Sequence, residues 1–224
     1  MDSAKIENLY DLNETLAGEY LKGFTYPWEA LSGIGEMVRK LGETLDPEIY
    51  EKKGEDIWIA RSASIDPNVG SISGPCIIGP GTELRPGAYI RGKVLVGSDC
   101  VIGNSVELKN VILFNHVQVP HFNYVGDSIF GFYSHTGAGA KVSNVKSDKT
   151  NVVIKCGDEK IDTGLKKVGS MLGDHVEVGC NTILNPGSVV GRNTNIYPLS
   201  SVRGVIPANS IYKDKDEIVL KDDR

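Results

Sequence analysis

A six-residue period constrains this chain more than anything else in it. Leu172, Val178, Leu184, Val190, Ile196 and Val202 fall six apart. Four places after each stands Val176, Thr182, Ser188, Thr194, Ser200 or Ile206. A second run, Ile78, Leu84, Ile90, Val96, Ile102 and Leu108, obeys the same rule. Six is neither the helical period nor simple alternation; it is the signature of a hexapeptide β-solenoid. Each hexad supplies one short strand and one corner. The aliphatic points inward, the small residue fits the bend, and nearby Gly or Asn tolerates the positive φ of a sharp turn. Successive coils pair as parallel strands around one narrow core.

The fold class is therefore mainly β: a parallel β-helix, read below as left-handed, with an N-terminal helical segment and a long inserted loop. Residues 1–57 lie outside the repeat. A short helix is expected over roughly 8–21. From Pro27, the residues Leu31, Ile34, Val38, Leu41 and Leu45 make one apolar stripe, so a second helix is expected there. The segment is read as a cap or oligomer contact over the open end of the solenoid, whose strand edges need cover. The solenoid spans 58–210. Its middle is irregular: the steps 108 to 113 and 125 to 130 are five residues rather than six. A missing residue must distort the wall. Residues 144–167 break the repeat as an inserted loop, with NVVIKCGDEKID read as a hairpin turning at Gly157 and Asp158. The charged tail, 211–224, is expected to cross back or fray.

Net charge −5 argues against a general nucleic-acid surface. No apolar run is long enough to span a bilayer, and the N-terminus lacks the pattern of a secretory signal. A cytoplasmic protein with no membrane partner is expected. Cys76 and Cys100 occupy inward positions, Cys180 a corner and Cys156 the insertion. The absence of a CxxC spacing points to neither zinc nor a redox pair. A catalytic zinc needs three protein ligands, and the four histidines are not spaced to supply them, so no metal is expected.

The densest chemistry is VPHFNYVGDS at 119–128. His121 is a candidate general base, because imidazole titrates near neutrality. Tyr124 lies beside it, and Asn144 opens the insertion. Arg91 and Lys109 are eighteen residues apart, one full coil of three hexads. They stack on one wall as a basic pair suited to a phosphate.

The hexad ladder, VELKN at 106–110, VPHFNYVGDS, GAG at 137–139 and Asn144 resemble the C-terminal acyltransferase domain of bifunctional N-acetylglucosamine-1-phosphate uridyltransferases. GLKKVGSMLGD and LNPGSVVGRNTNIYP are similar to the archaeal sugar-1-phosphate nucleotidylyltransferase/acetyltransferases. The resemblance covers about 59–210. It implies a left-handed β-helix assembled as a homotrimer, with acetyl-CoA as co-substrate and a small-molecule sugar phosphate as acceptor. The implied reaction moves an acetyl group onto the 2-amino group of a hexosamine 1-phosphate. His121 matches the general base. Tyr124 and Asn144 match substrate contacts, and Lys109 matches a phosphate contact. The arginine contact is Arg91 by stacking, or Arg85 by the motif RPGA. Cys180 falls near the CoA position, and Lys166 or Lys167 is aligned with a CoA phosphate. His135, Ala140 and Val145 depart from the family's asparagine, threonine and tyrosine. The nucleotidylyltransferase domain is not in the sequence, so nucleotidyl transfer is not expected. A non-catalytic sugar-phosphate or nucleotide-sugar binding trimer is the competing reading.

Overall fold

The computed structural model describes residues 1–221. A triangular prism of parallel strands occupies most of them. Its first face carries strands from Ser64–Ile65 to Ser210–Asp214, and its second from Ser71–Ile72 to Ser201–Val202. The third runs from Ile57–Ala60 to Val205–Ile206. The coil is a left-handed parallel β-helix. Tyr89 pairs with Glu107 and Cys76 with Val94, one rung for eighteen residues. Glu107 pairs with Tyr124 and Gln118 with His135, so two rungs take only seventeen. The two five-residue steps thus become two seven-residue strands, Glu107–Leu113 and Tyr124–Phe130, that run round a corner without a break. Their bends fall at Asn110 and Asp127, at φ 54° and 50°.

The hexad aliphatics fill the core as the spacing requires. Leu84, Ile90, Val96, Ile102, Leu108, Leu184 and Val202 are all buried. The corners differ from the expectation of Gly or Asn. One column of left-handed corners holds Gly87, Ser105, Phe122, Gly139, Asn181 and Leu199. Hydrogen bonds between rungs hold side-chain-bearing residues in a conformation they rarely adopt alone.

The three faces are not equivalent. On the first two, an outward residue, in most strands polar, alternates with a buried inward one. On the third, the strands read CII, VLV, VIL, SIF, SML and SVV, and every residue is buried. Strands covered on both sides read as continuous apolar runs. Their outward residues, Ile77, Leu95, Ile112, Ile129 and Met171, lie beneath other parts of the chain. Each such burial stabilises by roughly 1.5–3 kcal/mol.

Part of that cover is the N-terminal segment. Its helical part lies along the third face, not over the open end of the coil, and only Tyr50–Gly54 covers that end. The helix Ile34–Gly42, preceded by a 3-10 turn at Pro27–Gly33, packs on the strands at 76–78 and 94–96. Its stripe needs a flat apolar partner, and only the third face offers one. The single helix expected over 8–21 is instead three turns, Ile6–Leu9, Leu12–Glu14 and Gly18–Leu21. Asp11 breaks it: its carboxylate accepts the Asn13 N–H, and its own N–H donates to Asp174 at 2.7 Å. Buried Asp174 also accepts the Phe132 N–H at 2.9 Å and pairs with Arg192 at 3.2 Å.

The insertion covers the far end of the same face. Val153–Cys156 pairs antiparallel with Glu159–Asp162, turning at Gly157 and Asp158. Val152 and Ile154 are buried against Gly187. One free edge at each end is sealed by an antiparallel strand. Tyr50–Gly54 covers Ile57–Ala60, and Glu217–Leu220 covers Ser210–Asp214. The tail therefore extends the sheet through Leu220; residues 222–224 lie outside the described residues. No helix among the described residues is long and apolar enough to cross a membrane.

Candidate active site

Two edges of the second face carry the candidate residues. One edge is the corner shared with the third face. Here Arg91 and Lys109 sit on adjoining rungs, as Ile90 pairs with Leu108. Arg91 is held by Glu107 at 2.6 Å, which keeps its guanidinium more firmly protonated. Lys109 points toward Asp127, 4.0 Å away. Asp127 is the hub of this edge. Buried at the bend, it accepts from the Asn110 amide at 2.8 Å and from the Asn144 amide. The Asn144 amide also donates to the Tyr124 hydroxyl at 3.1 Å. Burial pushes the Tyr124 phenol up, against the Asn144 hydrogen bond that lowers it. Lys109 and Asn144 thus converge on one carboxylate, and Tyr124 joins it through Asn144. Neither Asp127 nor Asn110 stood out in the sequence. Their signal is that each sits where a hexad is short by one residue.

The other edge is the corner shared with the first face. His121 ends the strand Gln118–His121, and its imidazole is exposed. Its backbone is fixed from both sides: its N–H donates to Asn123 Oδ1 at 3.0 Å, and its carbonyl accepts the Gly139 N–H at 3.0 Å. The buried Asn123 amide donates to the carbonyls of Gly137 and Ala140, at 2.9 and 3.1 Å. Gly103 allows the coils to close beneath this turn, since a Cβ there would meet the Pro120 carbonyl at 1.6 Å. The exposed Phe122 ring lies 6.4 Å from the imidazole. Cys180 is exposed on the same corner, where the Asn181 N–H donates to Ala138.

One chain does not bring the two edges together. Four residues lie between His121 and Gly126, and the strand that starts at Tyr124 runs from one corner to the other. No side-chain hydrogen bond or ion pair among the described residues joins His121 to the Asp127 cluster. Arg85 belongs to the His121 side, where it pairs with Glu83 at 2.9 Å; it does not stack on Lys109. His135 lies out on the first face, with Nδ1 2.8 Å from Glu177. Lys166 and Lys167 are exposed where the insertion closes beside Asn144, with Lys167 bridging Val145. They stand on the opposite edge from Cys180, so the three expected CoA contacts are not adjacent within one chain.

The His121 corner continues down the prism through Gly139, Asn181 and Leu199. It ends at a cavity of about 440 Å³ lined by Leu199, Arg203, Lys213 and Lys215 among others. His121 and Leu199 are three rungs apart, about 14 Å. Lys213 and Lys215 there pair with Glu217 and Asp216, and Asp214 lines the same cavity.

The sequence profile of the GMPPB C-terminal domain matches residues 72–218, well over half of the chain. The chain belongs to the GMPPB C-terminal domain family. Its relatives carry the matching stretch inside longer proteins. The bifunctional protein GlmU of Methanococcus maripaludis is 30% identical over 230 residues, covering 93% of this chain and 52% of that protein. The bifunctional sugar-1-phosphate nucleotidylyltransferase/acetyltransferase of Sulfurisphaera tokodaii is 32% identical over 128 residues, covering 57% of this chain and 32% of that protein. This chain spans about half, or less, of the length of these relatives. Among solved structures, the UDP-N-acetylglucosamine acyltransferase from Campylobacter jejuni aligns at 14% identity with a TM-score of 0.40, over 70% of this chain and 71% of that one.

Proposed function

We propose that this GMPPB C-terminal domain family member is an acetyl-CoA-dependent N-acetyltransferase acting on a hexosamine 1-phosphate. The observation that carries the reading is the division of the second face. An exposed imidazole stands on one edge, and a cation–amide cluster on the other. In a homotrimer of prisms, the His121 edge of one copy would face the Asp127 edge of the next. Arg91 and Lys109 would hold the sugar phosphate, and Tyr124 and Asn144 the ring hydroxyls. The co-substrate would lie along the corner from Leu199 past Cys180 to His121. Named relatives that include an acetyltransferase support this assignment.

The acceptor amine must lose a proton as it attacks the thioester carbonyl. His121 Nε2 or Nδ1 takes that proton, a contribution of about 10²–10⁴ in rate. The N–C bond forms, the C–S bond breaks, and the thiolate of CoA leaves with the proton returned by the imidazolium. Holding both substrates across two copies supplies much of the remaining acceleration.

Replacing His121 by Ala should lower kcat by about 10²–10⁴ with little change in KM for the sugar phosphate or in thermal midpoint. Full activity in that variant removes the base assignment. A second reading, binding of a sugar phosphate without transfer, draws on one feature: among the described residues, no carboxylate orients the His121 ring. Calorimetry with acetyl-CoA separates the two, since a sensor that has lost the donor gives no heat.

A further inference from the structure

Four cations surround a second cavity, which shares only Arg203 with the one at the end of the His121 corner. Lys146, Lys155, Lys160 and Arg203 line a space of about 360 Å³, floored by Pro186 and Gly204. No acidic side chain is among its lining residues. The chain as a whole carries net charge −5, so this concentration of positive charge runs against its composition.

The cluster is built into the fold. Lys155 and Lys160 stand directly opposite each other across the inserted hairpin. Like charges in that position destabilise a hairpin. The hairpin is seated on the turn that carries Arg203: a Cβ on Gly204, whose φ is 75°, would lie 2.8 Å from the Lys155 carbonyl. Lys146 is steered by Thr150 at 2.6 Å and Asp148 at 3.3 Å. Lys155, Lys160 and Arg203 form no ion pair among the described residues. Concave sites lined by one sign of charge concentrate the opposite ion. Lysine and arginine together suit phosphate oxygens. The volume is that of a small-ligand site.

We propose that this cavity binds the diphosphate of a nucleotide ligand. The repulsion between Lys155 and Lys160 is then relieved by the bound anion, and the insertion exists to bring them against Arg203. The proposal does not depend on acyl transfer. Two sources share this chemistry: CoA, and a nucleoside diphosphate or nucleotide sugar.

Titration calorimetry of the full chain with inorganic pyrophosphate tests it. The wild-type chain should bind, more weakly as salt rises. Lys155→Gln with Lys160→Gln should weaken binding about tenfold or more, and so should Arg203→Gln. The double variant should melt no lower than wild type, because it loses a repulsion. His121→Ala should bind pyrophosphate like wild type, so failure of this proposal and failure of the transfer reading remain distinguishable. Displacement by CoA identifies the donor as the source, and displacement by UDP alone identifies a nucleotide sugar; either supports the site. Wild-type heats no larger than those of the charge-removed variants would overturn it.

Discussion

The Asn110 amide donates to the Asp127 carboxylate at 2.8 Å from the rung before it, and both residues sit in the left-handed region at the same corner. That bond ties together the two places where the coil is one residue short. It also aims the second carboxylate oxygen at Asn144. Asp127→Ala should therefore destabilise by about 2 kcal/mol, because the buried Asn110 amide loses its acceptor. It should also weaken sugar-phosphate binding. Asp127→Asn should recover most of the stability but less of the binding. Urea midpoints and calorimetry on both variants check this. Equal loss of stability and binding in the two would count against a geometric role.

Asn123 holds the His121 turn from inside. Asn123→Ala removes the amide donated to the carbonyls of Gly137 and Ala140, of which Gly137 keeps the Ala140 N–H, and frees the His121 N–H. A loss of about 2 kcal/mol is expected. Turnover should fall further than stability accounts for at a temperature where the variant remains folded. Unchanged kcat in a folded Asn123→Ala chain would mean the turn does not position the imidazole.

Asp174 anchors the N-terminal segment to the prism. Asp174→Ala leaves the Asp11 and Phe132 N–H groups and Arg192 without their acceptor, at a cost of about 3 kcal/mol. Hydrogen exchange in residues 1–45 should quicken before that of the coil. Burial raises the Asp174 carboxyl above its usual range, against the hydrogen bonds from Asp11 and Phe132 and the charge of Arg192. The folded chain thus holds this proton to higher pH than the unfolded chain does. The associated stability is full below the unfolded value, about 3.9, and is lost as pH rises through the folded one. Asp174→Asn should lack that decline in acid unfolding curves.

Thiol reactivity should divide the cysteines in two. Burial pushes both Cys76 and Cys100 up to about 12, so neither offers thiolate at neutral pH. Cys180 is exposed and Cys156 partly so. An aromatic disulfide reagent should label Cys180 first and Cys156 more slowly, with the other two reacting only in denaturant. Acetyl-CoA should slow the labelling of Cys180. No protection at saturating acetyl-CoA would move the co-substrate off this corner.

The ladder of inward aliphatics was readable because a core position tolerates few residue types and the hexad repeats them. Leu84 and Leu184 sit where the count puts them. Asp127 was not readable the same way, because a scan at six treats a five-residue step as noise, whereas the structure turns it into a continuous bend. The third face escaped for a related reason. The hexad rule tracks inward residues, while Ile77 and Leu95 point outward; Ile112, which the rule counts as inward four places after Leu108, is turned outward by the short step and pairs with Leu95. Stacking of Arg91 on Lys109 followed from the coil length. Which edge each residue occupies depends on the phase of the corners, so spacing alone did not show that His121 and Lys109 lie on opposite sides of one wall.

With one side of the prism clad by its own chain, only two flat sides remain for like neighbours. Any like neighbour docking on a wall must use one of those two, and whether contacts between unlike walls end in a ring or run on as a filament is set by the rotation between copies.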